Sequence, residues 1–228
     1  MIKLFLFDIE GTTTDINFVH KVLFPYSYKC LEHYILHHQT HPLVIKALED
    51  VRKTIWEEEQ IQLGLYDVIE KLRKWISIDR KHPALKEIQG LIWDIGYSKG
   101  EFQGHLYTDV KPFFVKILST KTSIGIYSSG SVHAQKLIFG FSIEGDLTPM
   151  ISHFFDTKVG GKREKSSYEK IASEIKLSPN EIHFFSDIAE ELKAAQAAGM
   201  AVTQLLREGT KASEFEGILS FKSFMNYI

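Results

Sequence analysis

A single cysteine, Cys30, stands in 228 residues. That excludes an internal disulfide and any zinc site built on several thiolates. No stretch approaches the ~20 consecutive apolar residues that a membrane-spanning helix needs. The apolar run Leu4-Phe5-Leu6-Phe7 ends at Asp8 and Glu10, too soon for a signal-peptide core. Charge of neither sign is in excess, since 27 Lys and Arg face 29 Asp and Glu for a net of −2. Nucleic acid binding draws on counterion release by basic residues, and anionic membranes attract polybasic runs, so neither is an expected partner. Internal repeats and low-complexity tracts are also missing. What is present is ordinary globular composition, 44% apolar and 25% charged. The chain is long enough to bury a core without metal or disulfide staples. A soluble cytoplasmic protein is expected.

The segment Ile2-Lys3-Leu4-Phe5-Leu6-Phe7 is nearly continuous in apolar residues and stops at an acid-and-glycine turn. Such a run reads as a strand buried on both faces of a parallel sheet. Ser123 to Tyr127, Ile182 to Phe185 and Ala201 to Leu205 read the same way. Helical patterns over Val132 to Phe139, Tyr168 to Ile175 and Glu190 to Ala198 alternate with them. Alternation of this kind gives right-handed crossovers and a doubly wound α/β sheet.

Residues 17–105 break the alternation. Amphipathic stretches run over Val19 to Leu36, Val44 to Ile55, Leu65 to Ile76 and Ala84 to Ile95, with no good strand among them. Pro25 starts a new helix or kinks the first of these. The pattern predicts an all-helical domain, residues 17–105, inserted after the first strand of an α/β core made of residues 1–16 and 106–228. An insert there is expected to act as a lid that excludes water and selects substrate.

Parallel sheets place ligands at the carboxyl ends of their strands. Three such ends carry polar groups: Asp8-Ile9-Glu10-Gly11-Thr12, Ser128-Ser129-Gly130-Ser131 and Ser186-Asp187 with Glu190 and Glu191. A loop with Gly160-Gly161-Lys162 precedes a helix. Converging carboxylates without Cys or a convincing His ligand suit a hard divalent ion, most simply Mg²⁺, and a phosphorylated substrate. Asp8, first beyond the strand, is the natural nucleophile, with Glu10 as acid and then base. Ser128, Ser129 and nearby amides would hold the phosphoryl oxygens, and Lys162 would neutralise the charge that develops there. Asp187 completes the metal site, and Glu191 is placed to orient it or a metal-bound water.

In this order the segments resemble the haloacid dehalogenase superfamily over nearly the whole chain. Within it they are similar to the enolase-phosphatase family of methionine salvage. Carrying the second likeness are Asp8 to Ile16, Leu23-Phe24-Pro25-Tyr26, Asp79-Arg80-Lys81, Ala84-Leu85-Lys86 and Gln89-Gly90. Ile126 to Ser131, Phe155 to Lys158, Gly161-Lys162 and Ser186-Asp187 extend it. The superfamily usually has Asp two places after the nucleophile, and Glu10 in its stead is what the narrower family has. The resemblance implies a core of the superfamily's type with a helical cap and one Mg²⁺ per subunit on Asp8, Glu10 and Asp187. It implies substrate contacts from Ser128, Ser129 and Lys162, and a monomer. The implied substrate is a small phosphorylated diketone, 2,3-diketo-5-methylthiopentyl-1-phosphate, which is enolised and then dephosphorylated. Glu10 and a residue of the insert are equal candidates for the enolisation base.

Two other readings compete. One keeps the phosphatase chemistry on a different small phosphate monoester, such as a sugar phosphate. The other is a non-catalytic phosphorylation receiver, which also sets an Asp at a strand end but has no insert of this size. His33 and His37 fall one helical turn apart, yet Tyr34 stands where a zinc peptidase needs Glu.

Overall fold

The computed structural model describes residues 1–228, the side chain of Tyr227 excepted. Strand β1 (Leu4–Phe7) leads into a single turn α1 (Ile16–Phe18) and a π-helical turn over Val19–Leu23. The helices α2 (Phe24–His37), α3 (Pro42–Glu59), α4 (Leu65–Ser77) and α5 (Pro83–Ser98) follow. After α6 (Val110–Ser119) come β2 (Ser123–Tyr127), α7 (Val132–Gly140), β3 (His153–Phe155) and α8 (Lys165–Glu174). The chain ends with β4 (Ile182–Ser186), α9 (Ala189–Ala197), β5 (Ala201–Leu205), β6 (Gly217–Ile218) and α10 (Phe221–Phe224). Two compact units result, one of Met1–Ile16 with Gln103–Ile228 and the other of Asn17–Phe102.

In the first unit every strand pair is parallel and the order is β3-β2-β1-β4-β5-β6. Strands β3 and β6 were not among the expected ones. They have three and two residues, too few to show a hydrophobic period. Alternation along β1 explains its unbroken apolar run. Leu4 and Leu6 join Tyr127, Tyr168, Ile171, Ile182, Phe184 and Leu192 in one core cluster. Phe5 and Phe7 point to the opposite face, where Phe7 stacks on Phe185 with centroids 5.1 Å apart and Phe113 stacks on Phe221 at 4.8 Å. β4 repeats the arrangement, with Ile182 and Phe184 on the first face and His183 and Phe185 on the second.

Winding runs outward from β1 to β2 and β3, then returns to β4 on the other side of β1. The topological switch therefore lies between β1 and β4, where Phe7 is in register with Phe185. Asp8 and Asp187 sit just past these two strands.

The second unit packs α2 to α5 around Leu31, Ile35, Val44, Val51, Ile55, Val68, Leu72, Trp75, Ile88 and Ile92. Pro25 falls in the first turn of α2, directly after the π turn. Within the same unit the indole N–H of Trp93 donates to the carbonyl of Leu23 at 2.8 Å. Of the three tryptophans, Trp75 and Trp93 are core residues, whereas Trp56 is 47% exposed.

Candidate active site

The site is assembled from backbone outward. Asp8 follows β1 directly, its N–H still donating to Phe185 O at 2.9 Å, so the sheet ladder fixes its Cα. Beyond it the chain turns sharply. The N–H groups of Thr12, Thr13 and Thr14 all donate to Ile9 O, at 3.1, 2.9 and 2.9 Å. The turn needs φ of +77° at Gly11, which glycine adopts without strain. A Cβ there would also lie 2.4 Å from Asp187 Oδ2, so glycine is what lets the two strand ends approach.

The Asp8 carboxylate is buried between two donors. Lys162 Nζ pairs with Oδ1, and Thr12 Oγ1 donates to Oδ2 at 3.1 Å. Thr12 Oγ1 also accepts the N–H of Asp187 at 3.0 Å, so one hydroxyl bridges the two acids. No motif argument singled out Thr12, because only the fold brings residue 187 beside it. Glu10 turns the other way, its Oε2 accepting from Ser128 Oγ at 3.1 Å, and Ser128 Oγ accepts the N–H of Gly130 at 3.0 Å. Ser128 is buried at the end of β2 and Ser129 beside it is half-buried.

Lys162 comes from a charged run, Lys162-Arg163-Glu164-Lys165, yet its side chain is 6% exposed. The loop is held by its carbonyls. Tyr127 Oη donates to Gly160 O at 2.9 Å, Ser167 Oγ to Gly161 O at 2.8 Å and Tyr168 Oη to Lys162 O at 2.7 Å. Glu191 Oε2 meets the ammonium at 2.7 Å and also accepts from Ser186 Oγ at 2.9 Å. Glu191 thus orients the lysine, where the sequence reading had it orienting Asp187 or a metal-bound water.

Electrostatics follow from this crowding. Four carboxylates, Asp8, Glu10, Asp187 and Glu191, share one ammonium. Burial, and next the charge of Asp8, pushes the Asp187 carboxyl up to about 8 and raises Glu10. Burial also lifts Glu191 to about 7, against the pull of Lys162. The Lys162 ammonium is held well above its ordinary value, because Asp8 and Glu191 outweigh its desolvation. Asp187 Oδ1 is buried with no hydrogen-bond partner. A buried anion left unpaired is costly, and a divalent cation is the group that would satisfy it. No group of three or more acid, His or Cys side chains converges as a metal shell among the described residues. Two carboxylates with backbone, water and substrate oxygens do suit Mg²⁺, which keeps much of its hydration. The residues fit a hard divalent ion, with Asp8 and Asp187 supplying the carboxylates.

His33 and His37 lie on an exposed face of α2, rings 4.0 Å apart, with His37 Nδ1 tied to His33 O at 2.8 Å. Among the described residues no third ligand joins them.

Comparison with known proteins gives one answer. A profile described as haloacid dehalogenase-like hydrolase matches residues 2–199. The chain is 46% identical over 223 residues to "Enolase-phosphatase E1" of Aquifex aeolicus, covering 97% of this chain and 98% of that protein. It is 48% identical over 207 residues to the protein of the same name from Sulfurihydrogenibium, covering 91% and 89%. Among solved structures, the UTR4 protein of Saccharomyces cerevisiae superposes with a TM-score of 0.81 at 29% identity, covering 98% of this chain and all of the other.

Proposed function

The chain belongs to the haloacid dehalogenase-like hydrolases, and from that premise we propose that it is an enolase-phosphatase of methionine salvage. Its substrate is 2,3-diketo-5-methylthiopentyl-1-phosphate, and its products are 1,2-dihydroxy-3-keto-5-methylthiopentene and phosphate. The observation that carries the phosphoryl half is the setting of Asp8. It is a buried strand-end carboxylate with Lys162 on one oxygen and Thr12 on the other, and Thr12 ties it to a second acid whose Oδ1 has no partner. Near-full-length likeness to proteins named enolase-phosphatase supports the substrate.

Enolisation comes first. A proton leaves the carbon that bears the phosphate ester, and a carbonyl oxygen gains the enol proton. Glu10 or a side chain of the helical unit supplies the base. Asp8 then attacks phosphorus, and the bond from phosphorus to the substrate oxygen breaks. Glu10, whose carboxyl is raised by burial and by Asp8, gives its proton to that leaving oxygen. Water next attacks the aspartyl-phosphate, Glu10 takes its proton, and Asp8 is released with inorganic phosphate. Lys162, fixed by Glu191, and the hydroxyls of Ser128 and Ser129 hold the phosphoryl oxygens through both transfers.

Asp8 and Asp187 are the acids that would hold Mg²⁺, with Glu10 contributing its backbone carbonyl. When bound, the ion supplies the positive charge that offsets the repulsion between nucleophile and phosphate. We read the active protein as a monomer in the cytoplasm with one Mg²⁺ per chain.

Product analysis tests the proposal. Incubation with the diketone phosphate and Mg²⁺ should yield phosphate and the enediol in equal amounts. Asp8→Asn should cut phosphate release by ~10³-fold or more, since no covalent intermediate can form. Full phosphate release by that variant would remove the nucleophile assignment. Preference for a sugar phosphate over the diketone would move the protein to another monoester.

A further inference from the structure

Arg207 lies two residues past β5, beyond the segment that the family profile matches. Its buried guanidinium belongs to no step described above. Nε and Nη2 donate to the carbonyl oxygen of Thr12 at 3.1 and 3.0 Å. Nη1 and Nη2 donate to the two carboxylate oxygens of Asp109 at 2.9 and 3.0 Å. Asp109 is fixed in turn, accepting from Ser220 Oγ at 2.6 Å and from the N–H of Phe221 at 2.7 Å. Tyr107 covers the guanidinium, 4.1 Å from its ring centre. One planar fork thus holds a carboxylate on one side and a single carbonyl on the other, a geometry that lysine cannot reproduce.

What that carbonyl belongs to decides the meaning. Thr12 is the residue whose hydroxyl spans Asp8 Oδ2 and the Asp187 N–H. Its backbone position sets where the hydroxyl stands, and so sets the gap between the two acids. Gln204 braces the far side independently, donating to Asp187 O at 2.9 Å. We propose that Arg207, oriented by Asp109, is a positioning residue: by holding the Thr12 carbonyl it fixes the separation of the Asp8 and Asp187 carboxylates, and with it the rate of phosphoryl transfer and the affinity for the divalent cation. The inference rests on the roles given above to Asp8 and Asp187.

The test compares wild type with Arg207→Lys, Asp109→Asn, Thr12→Val and the double variant Arg207→Lys with Thr12→Val. Arg207→Lys keeps the charge and loses the fork, and should lower kcat about 30-fold while KM moves less than about twofold. Mg²⁺ binding to the resting protein, followed by calorimetry, should weaken severalfold. Asp109→Asn should show a smaller change of the same kind, which covers the case of an Arg207→Lys chain that does not fold. Because both residues act through one hydroxyl, the double variant should be little slower than Thr12→Val alone, whereas independent effects multiply. Three results would overturn the inference: wild-type kcat and Mg²⁺ affinity in Arg207→Lys, losses that multiply in the double variant, or losses that vanish per folded molecule. Wild-type protein that releases no phosphate would instead refute the enolase-phosphatase reading, and this inference with it.

Discussion

The two units differ in whether they bury charge. Besides surface pairs such as Lys3–Glu181 and Lys165–Glu169, the α/β unit buries two ionic clusters, Lys162 with Asp8 and Glu191, and Arg207 with Asp109, all with side chains mostly removed from water. In the helical unit the ion pairs stay at the surface, as in Lys71–Glu59, Arg73–Glu32 and Arg80–Glu58. The helical interior is aliphatic and aromatic, and its Gln89 donates to Ser27 Oγ at 3.3 Å. Buried charge is expensive and is kept where it performs work, whereas exposed pairs add little to stability. The helical unit is therefore held chiefly by packing, and the α/β unit gives up some stability to hold four acids around one lysine.

That contrast can be broken at four points. Leu72 is fully buried in the helical core, so Leu72→Ala should cost about 2–5 kcal/mol in denaturant unfolding. A smaller cost would mean that packing is not what holds this unit. Gly11→Ala, in the α/β unit, should act on turnover before stability. Its methyl would collide with Asp187 Oδ2, and we expect kcat to fall about a hundredfold. Near-normal kcat would show that the acids tolerate a different spacing.

His183 tests the cost of burial in the same unit. Its ring stacks on Phe185 at 4.5 Å, and burial pushes its imidazole down to about 4. The unfolded chain takes up a proton below about 6.5 and the folded one does not, so stability falls as pH drops from there toward 4. Between pH 7 and 5 the wild type should lose about 2 kcal/mol that His183→Leu does not lose. Parallel profiles would sink the assignment. The smallest effect belongs to the helical surface. Glu58→Gln removes the partner of Arg80, which also lies over Trp75 at 4.2 Å, and should leave the denaturant midpoint close to that of wild type.

Much of this was legible from residue order. The run Leu4 to Phe7 followed by Asp8 announces a central strand with an acid at its end, because period and punctuation are local signals. Residues 17–105 announce helices for the same reason. The network around the acids was less legible. Thr12 and Arg207 matter through contacts between residues 195 positions apart in the chain, and no spacing rule reaches that far. Glu191 was placed on the correct helix, but its ion pair with Lys162 was not foreseen, since a carboxylate on α9 can face either the lysine or the acid, and only packing decides. β3, β6 and α6 passed unmarked. The first two are very short, and α6 carries Pro112 in its first turn, a position that tolerates proline but reads as a break.

All three tryptophans, Trp56, Trp75 and Trp93, belong to the helical unit, and the α/β unit has none. Intrinsic indole fluorescence therefore reports on one half of the molecule only, with no label attached. Two of the emitters sit in a dry interior and one in water, so loss of the helical packing should shift the emission to the red. A denaturation curve read by fluorescence, laid over one read by phosphate release, would separate the melting of the insert from the loss of catalysis.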